Sequence, residues 1–203
     1  ERLVGEPLSQ RMRDKGFLSW PEVAQIGQDV LRGLIDAHTA GVVHRDIKPS
    51  NIMLVAGTTP PLVKIVDFGI AKACASTGEI CPTSVAILHS MDWAAGKPSE
   101  EVAALLQTLT QPGEIFGSPL YMSPEQSMGL KVDACSDIYS SGCALFEMLT
   151  GKPPFRAATA FATMLCHQEV PAPTLVEAGG LESERTYPDW LEELVAELLA
   201  KDP

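Results

Sequence analysis

The sequence predicts a mainly α-helical fold with one short β-hairpin, and three observations support this prediction. Apolar residues recur at intervals of three and four over several long stretches, which is the period of an amphipathic helix. Two short apolar runs, at residues 52–55 and 63–66, flank a segment of turn-forming residues, as in a hairpin. The 203 residues are 45% hydrophobic and 20% charged, which suits one domain, or a large piece of one, and excludes wholesale disorder.

The first part of the chain is predicted to lead into a long helix. It opens with an extended stretch, a turn at residues 5–7 and a short polar helix. A strong helix follows over residues 21–40, because Pro21 suits a first helical turn and Gly41 supplies a stop signal. Residues 42–43 are predicted as a brief apolar strand just ahead of the hairpin.

The second part of the chain is predicted to be helical with proline-rich connections. The same apolar spacing predicts four helices, at residues 99–109, 137–150, 157–168 and 188–200. The helix at 137–150 is apolar on most faces, so we expect it to be buried. Prolines 171 and 173 mark a loop between the last two helices.

Charge and cysteine content exclude several classes of protein. Lysine and arginine total 15 and acidic residues total 26, so the net charge is −11, which argues against general binding to nucleic acid or anionic membrane. No apolar run approaches the roughly 20 residues of a membrane span, and no secretory signal opens the chain. The five cysteines form no CxxC pair, which predicts free thiols in a reducing, cytoplasmic setting and disfavours a zinc site.

A dense set of polar residues lies between two apolar runs, in the segment that precedes the hairpin. Asp46 is placed to accept a hydroxyl proton, and Lys48 can offset charge on a transferring phosphoryl group. The hairpin folds the chain back, so Asn51 at its start and Asp67 after its second strand can face the same point. An amide oxygen and a carboxylate there are hard ligands of the kind Mg²⁺ prefers. The pattern therefore predicts phosphoryl transfer from a magnesium nucleotide.

These residues resemble the protein kinase superfamily. His44-Arg45-Asp46 with Asn51 matches the family's H-R-D-x-x-x-x-N catalytic loop. The resemblance continues through most of the chain, in the segments Asp67-Phe68-Gly69, Ser123-Pro124-Glu125, 137–142 and 148–155. Lysine at position 48 is the serine/threonine-kinase pattern, and the general style resembles bacterial kinases of the eukaryotic type.

The resemblance implies a particular portion of the kinase fold. Residues 1–203 are expected to be a partial kinase domain, comprising the hinge and the C-terminal lobe of a fold that is α+β when complete. The N-terminal lobe is absent from this sequence, which lacks the glycine-rich loop, strand lysine and helix glutamate of the family. We expect the chain, which begins at Glu1, to be an excerpt of a longer protein and to be inactive alone. An insert at about 74–113 lengthens the activation segment, as either a tolerated surface insertion or a docking element.

The implied activity is transfer of the ATP γ-phosphate, with Mg²⁺, to serine or threonine hydroxyls of protein substrates. The missing N-terminal lobe would be an essential partner, and bacterial relatives often carry a membrane anchor elsewhere. Two alternatives remain open at this point. One is a scaffold lobe without activity, although a scaffold would have no chemical need for Asp46, Lys48, Asn51 and Asp67 together. The other is a phosphotransferase acting on small molecules.

The resemblance also assigns structural and regulatory roles. His44 would pack under Phe68 next to Gly69, and Asp137 would cap its helix and also hold the catalytic loop. Arg45 would bind an activating phosphate, with a plain surface arginine as the alternative. Ser118 would bridge Asp46 and Lys48, and Glu125 would be a buried carboxylate without its usual arginine. By the same resemblance, ATP would contact the side chains of Lys48, Asn51 and Asp67. The Leu3 backbone and Met53 would also contact it. The candidate phosphosites are Thr108 and Thr110.

Overall fold

A computed structural model of the chain describes residues 4–57, 60–68, 118–179 and 187–202. Three strands and seven α-helices lie in these ranges. The strands are β1 (Gly5–Pro7), β2 (Ile52–Val55) and β3 (Leu62–Ile65). The helices are α1 (Leu8–Lys15), α2 (Trp20–Thr39), α3 (Pro124–Ser127), α4 (Ala134–Thr150), α5 (Ala160–Glu169), α6 (Leu175–Gly179) and α7 (Asp189–Leu198). The mainly helical prediction with a short hairpin therefore agrees with the structure, although β1, the third strand of the sheet, was not predicted.

The small sheet is antiparallel, with strand order β1-β2-β3. The predicted hairpin is present as β2 and β3, in which Ile52 pairs with Ile65. The predicted turn at residues 5–7 is wrong, because this segment is strand β1 and its Gly5 pairs with Val55. A side chain at Gly5 would overlap the Leu54 carbonyl oxygen, so glycine allows the two backbones to approach.

The predicted strand at residues 42–43 is also wrong. The amide of Val42 donates to the carbonyl oxygen of Ala37, and that of Gly41 donates to His38. These bonds satisfy carbonyl groups at the end of α2, so the segment closes the helix instead of joining a sheet. The side chain of Val42 is exposed, as is usual for a connection of this kind.

Helices α2 and α4 form the centre of the molecule and pack on one another. Gly27 of α2 lies against Leu145 of α4, and both helices contribute fully buried side chains such as Leu34 and Leu149. Most residues of α4 are buried, as its apolar composition predicted. This pair of helices supports the loop that carries the polar cluster, since the loop leaves the end of α2.

Helix boundaries differ from the predictions by a few residues. Helix α4 begins at Ala134, and the Asp133 carboxylate accepts the Cys135 amide as its N-cap, so the predicted capping role of Asp137 is wrong. The predicted helix at residues 99–109 and the insert lie outside the described residues. Helices α3 and α6 were not predicted, because each is only four or five residues long.

Two further observations concern membranes and thiols. Within the described ranges, no helix is both long and apolar enough to cross a bilayer. Cys135, Cys143 and Cys166 are free thiols, in agreement with the prediction. The other two cysteines lie outside these ranges.

Candidate active site

The loop at residues 44–51 connects the end of α2 to strand β2. Ile47 is buried in the hydrophobic core and anchors the middle of the loop. A single 3₁₀ turn at Pro49–Asn51 then leads directly into β2, with the Asn51 amide donating to the Lys48 carbonyl. An apolar anchor and a proline at the first turn position therefore fix the direction of the polar side chains around them.

Three predicted site residues meet at one carboxylate oxygen. Lys48 Nζ lies 2.8 Å from Asp46 Oδ2, and Asn51 Nδ2 lies 3.2 Å from the same oxygen. Asn51 Nδ2 also donates to the Asp46 backbone carbonyl at 2.9 Å, which fixes the rotamer of this buried amide. The ammonium of Lys48 and the amide of Asn51 thus both face one oxygen of the Asp46 carboxylate.

Asp67 follows β3 and is brought beside the start of the hairpin. The Val66 amide donates to the Asn51 carbonyl at 2.9 Å, so the chain just before Asp67 runs next to Asn51. Asp67 is exposed and has a φ of 59°, while Arg45 has a φ of 67°. They are the two non-glycine residues with positive φ in the described part of the chain, and this uncommon backbone clusters at functional sites.

The donor set around Asn51 and Asp67 fits a magnesium ion. Because Asn51 uses its amide nitrogen toward Asp46, its Oδ1 remains an acceptor, approached at 3.3 Å by the Ser50 hydroxyl. One amide oxygen and one carboxylate suit Mg²⁺, which normally keeps several waters and binds through few protein ligands. Among the described residues, no group of three or more His, Cys, Asp or Glu side chains suited to a metal occurs.

His44 lies behind the loop and joins it to the segment containing Asp67. Its Nδ1 accepts the Asp46 amide at 3.2 Å, so its Nε2 carries the proton and donates to the Val66 carbonyl at 3.0 Å. The imidazole is fully buried and packs against the Phe68 ring, with 4.7 Å between centroids. His44 therefore has structural contacts on both nitrogens and on its ring face.

Asp137 of α4 holds the loop backbone. Its Oδ2 accepts the His44 amide at 2.8 Å and its Oδ1 accepts the Arg45 amide at 2.7 Å. His38 Nε2 lies 2.8 Å from Oδ2, and no sequence pattern marked this histidine for a role. The only local signal is its position in the last turn of α2, where a histidine is ordinary.

The segment after residue 118 packs against the loop through helix α3. Ser123 and Gln126 form a reciprocal capping box, and Gln126 Nε2 also donates to the Arg45 carbonyl at 2.9 Å. Glu125 was predicted to be a buried carboxylate without its usual arginine; the structure places it half-buried, with its carboxylate accepting the Ser136 hydroxyl. This hydroxyl belongs to the first turn of α4.

A second pair in this segment was not predicted. The Tyr121 hydroxyl donates to Glu147 Oε2 at 2.5 Å, which ties the 3₁₀ turn at Pro119–Tyr121 to α4. Burial raises the pKa of Glu147, opposed by the Tyr121 hydrogen bond and by the positive charge of Arg156. Burial also raises the pKa of Tyr121.

The remaining predicted residues are placed as follows. Met53 is half-buried in β2, where it pairs with Pro7 and Lys64. The carbonyl oxygen of Ser118 accepts a hydrogen bond from the Tyr121 amide. Lys48 donates directly to Asp46, so a bridging role for the Ser118 hydroxyl stays a prediction. Outside the described residues lie Leu3, Gly69, Thr108 and Thr110.

Comparison with known proteins gives a consistent picture. The family model described as protein kinase domain matches residues 1–203. The chain is 35% identical, over its whole length, to the probable serine/threonine-protein kinase PknB of Bifidobacterium longum, of which it covers 24%. It is 35% identical to the serine/threonine-protein kinase pkn3 of Myxococcus xanthus and 32% identical to PknB of Mycobacterium tuberculosis, covering 32% and 27% of them. The chain thus spans no more than about a third of these relatives.

Proposed function

The chain belongs to the protein kinase family, and on that premise we propose that it is part of a serine/threonine kinase that phosphorylates proteins. The observation that carries the proposal is the cluster at Asp46, whose Oδ2 is contacted by Lys48 and by Asn51. Asp46, Lys48 and Asn51 thus lie within six positions of one loop, and the other proposed metal ligand, Asp67, follows strand β3. Its relatives named as serine/threonine-protein kinases support the same reaction.

In the proposed mechanism, bound Mg²⁺-ATP supplies the phosphoryl group and this chain supplies the acceptor chemistry. Asp46 takes the proton of a protein serine or threonine hydroxyl and orients its oxygen. Lys48, held against Asp46, offsets negative charge near the reacting oxygens. Asn51 and Asp67 are the residues that would hold the metal ion.

We further propose that residues 1–203 provide the hinge and the C-terminal lobe of a bilobal domain in the cytoplasm. The chain holds no glycine-rich phosphate loop, so the nucleotide site requires a separate β-rich lobe. Leu3 would contact adenine through its backbone, and Met53 would form part of the pocket floor. Ser118 would assist Lys48 at the substrate side of the site.

Regulation by phosphate is proposed through Arg45. Among the described residues, no carboxylate pairs with its guanidinium, although its backbone is fixed by Asp137 and Gln126. A guanidinium without an acidic partner among the described residues suits an incoming phosphate. We propose that Thr108 and Thr110 carry that phosphate once they are phosphorylated.

The test is to supply the intact protein with Mg²⁺ and γ-labelled ATP, together with a general protein substrate or a panel of small-molecule alcohols. The proposal predicts label on protein serine or threonine and none on the alcohols. Label on small molecules would favour the other class of phosphotransferase. Retained nucleotide binding without any transfer would favour a scaffold role.

A further inference from the structure

Lys201 follows the end of α7, and the residue is half-buried. Its Nζ donates a hydrogen bond to the Tyr139 hydroxyl at 3.0 Å and to the Cys166 carbonyl at 3.4 Å. The same nitrogen lies 4.0 Å from the centre of the Phe155 ring and 5.4 Å from that of the Tyr139 ring. The amine is therefore held between α4, α5 and the segment that joins these two helices.

The groups that face this amine are neutral. Among the described residues, no ion pair includes Lys201. The titratable side chains that face it are Tyr139 and Cys143 of α4 and Cys166 and His167 of α5. Burial raises the pKa of the tyrosine and of both thiols and lowers that of the histidine, so all four are uncharged near neutral pH. The ammonium form of Lys201 is thus in contact with neutral groups alone.

These surroundings make the neutral form of the amine unusually abundant. A neutral amine keeps two N–H groups, which are enough for both hydrogen bonds, whereas the ammonium loses water without gaining an acidic partner. The Phe155 ring attracts a cation and opposes this effect, but the ring bears no net charge. Burial therefore lowers the pKa of Lys201 from 10.5 to about 8. At about pH 7.5, roughly a quarter of the molecules then carry a nucleophilic amine, against about 0.1% for an ordinary exposed lysine.

A cavity gives small molecules access to this residue. It has a volume of about 600 Å³ and lies between α7 and the segment that follows α5. Apolar side chains such as Pro171, Val195 and Leu199 line it, and Lys201 stands in its wall. The wall also includes three acidic side chains, Glu169, Glu192 and Glu193. Such a cavity disfavours anions, so a small, uncharged and partly apolar molecule suits it best.

We propose that Lys201 is an acylation site for small uncharged thioesters, and that acylation releases the end of α7 from α4 and α5. The neutral amine attacks the carbonyl carbon of the thioester, where a C–N bond forms. The C–S bond breaks, its electron pair leaves with the sulfur, and the resulting thiolate takes up the proton that the nitrogen gives up. The products are an amide at Nζ and a free thiol. None of these steps depends on the proposed kinase function.

Acylation would remove contacts that hold Lys201 in place. The amide carries no charge, so the attraction to the Phe155 ring is lost. One N–H remains where the neutral amine has two, so the nitrogen cannot serve both Tyr139 and Cys166. The last turn of α7 should therefore exchange its amide hydrogens faster after acylation.

The first experiment treats the intact protein at about pH 7.5 with the thioacetate of N-acetylcysteamine, a small uncharged thioester. Peptide mass spectrometry compares acetylation of Lys201 with that of the exposed residues Lys131 and Lys152. We expect Lys201 to react about ten-fold faster, since its larger neutral fraction is partly offset by the lower nucleophilicity of a less basic group. Equal rates at the three lysines would overturn the proposal. Acetyl phosphate, an anion, should show a smaller preference for Lys201, and an equal preference would contradict the assignment to uncharged donors.

The pH dependence of acetylation provides a second measurement on the wild-type protein. The rate at Lys201 should level off above about pH 8.5, because the amine is then mostly neutral. An ordinary lysine continues to gain reactivity up to about pH 10. A Lys201 rate that keeps rising with those of Lys131 and Lys152 would overturn the proposal.

Two substitutions at Cys166 test the role of the neutral surroundings. The thiol faces Lys201, so Cys166→Asp places a carboxylate there that favours the ammonium form. Cys166→Ser is of similar size, adds no charge and also removes the thiol as an alternative acyl carrier. We expect Lys201 to react at least ten-fold more slowly in Cys166→Asp than in Cys166→Ser, which should match the wild type. Equal rates in the two variants would count against the proposal, and the wild-type pH profile decides if Cys166→Asp does not fold.

Hydrogen exchange tests the release of α7. In acetylated protein and in Lys201→Gln, the amides of Leu199 and Ala200 should exchange at least three-fold faster than in unmodified protein. The Gly151 amide, which donates to the Glu147 carbonyl, should be unchanged. Lys201→Arg keeps the positive charge and should keep the protection. Unchanged exchange at Leu199 and Ala200 in acetylated protein would overturn the proposed release.

Discussion

Two glycines at the centre of the fold should respond in opposite ways to the same substitution. Both Gly27 and Gly142 lie inside helices, where alanine is favoured over glycine by about 1 kcal/mol. A Cβ at Gly27 would lie 3.4 Å or more from the side-chain end of Leu145, an ordinary contact. A Cβ at Gly142 would lie 2.8 Å from Leu198 Cβ and 3.2 Å from its carbonyl carbon. These atoms cannot rotate away, so α4 and α7 would have to separate.

The expected magnitudes follow from these distances. Gly27→Ala should stabilise the region by about 0.5–1 kcal/mol, since the gain in helix propensity is not opposed. Gly142→Ala should destabilise it by up to about 2 kcal/mol, because overpacking costs about 1–3 kcal/mol against the same gain. Hydrogen exchange of peptides from α2 and α4 in the intact protein measures both changes. Equal stability of the two variants would refute the packing argument.

Three further perturbations test other parts of the structure. Burial, followed by the charge of Lys201, lowers the pKa of the histidine at position 167 from 6.5 to about 4. As pH falls from 6.5 to about 4, this histidine therefore binds a proton in the unfolded chain but not in the folded chain, which lowers the free energy of unfolding by up to roughly 3 kcal/mol. Urea unfolding should show this dependence of stability on pH in the wild type and its loss in His167→Gln. Lys48→Ala should lower kcat by about 10²-fold or more in a steady-state assay, because the charge near the reacting oxygens is lost. Gly151→Ala should destabilise the end of α4 by about 1–2 kcal/mol in exchange measurements, because this cap has a φ of 80° and abuts the Gly16 carbonyl.

Local patterns were sufficient to predict the main elements of the fold. The helix that became α2 has a proline at its start and a glycine after its end, and the α4 segment is apolar enough to identify as buried. Strand β1 could not be found in this way. Its Gly-Glu-Pro composition is typical of a turn, and its strand character arises from pairing with residues almost fifty positions later.

The candidate site, like the fold, was only partly predictable from local sequence patterns. Asp46, Lys48 and Asn51 lie within six positions, so their spacing alone indicated a shared chemistry. Asp137 is 93 positions from His44 and 99 from His38, and no periodicity in the sequence reveals that these groups meet. The resemblance to kinases suggested the role of Asp137 in holding the loop. The hydrogen bonds of His38 and Tyr121 became visible only when the helices were packed together.

The central claim is that Asp46 acts as the base while other residues bind the nucleotide. The most direct test is Asp46→Asn in the intact protein, with kcat for phosphorylation of a protein substrate and Kd for Mg²⁺-ATP measured side by side. We predict that kcat falls about 10³-fold, because an amide cannot accept the hydroxyl proton, and that Kd changes less than three-fold. A kcat within ten-fold of the wild type would contradict the assignment of Asp46 as the base.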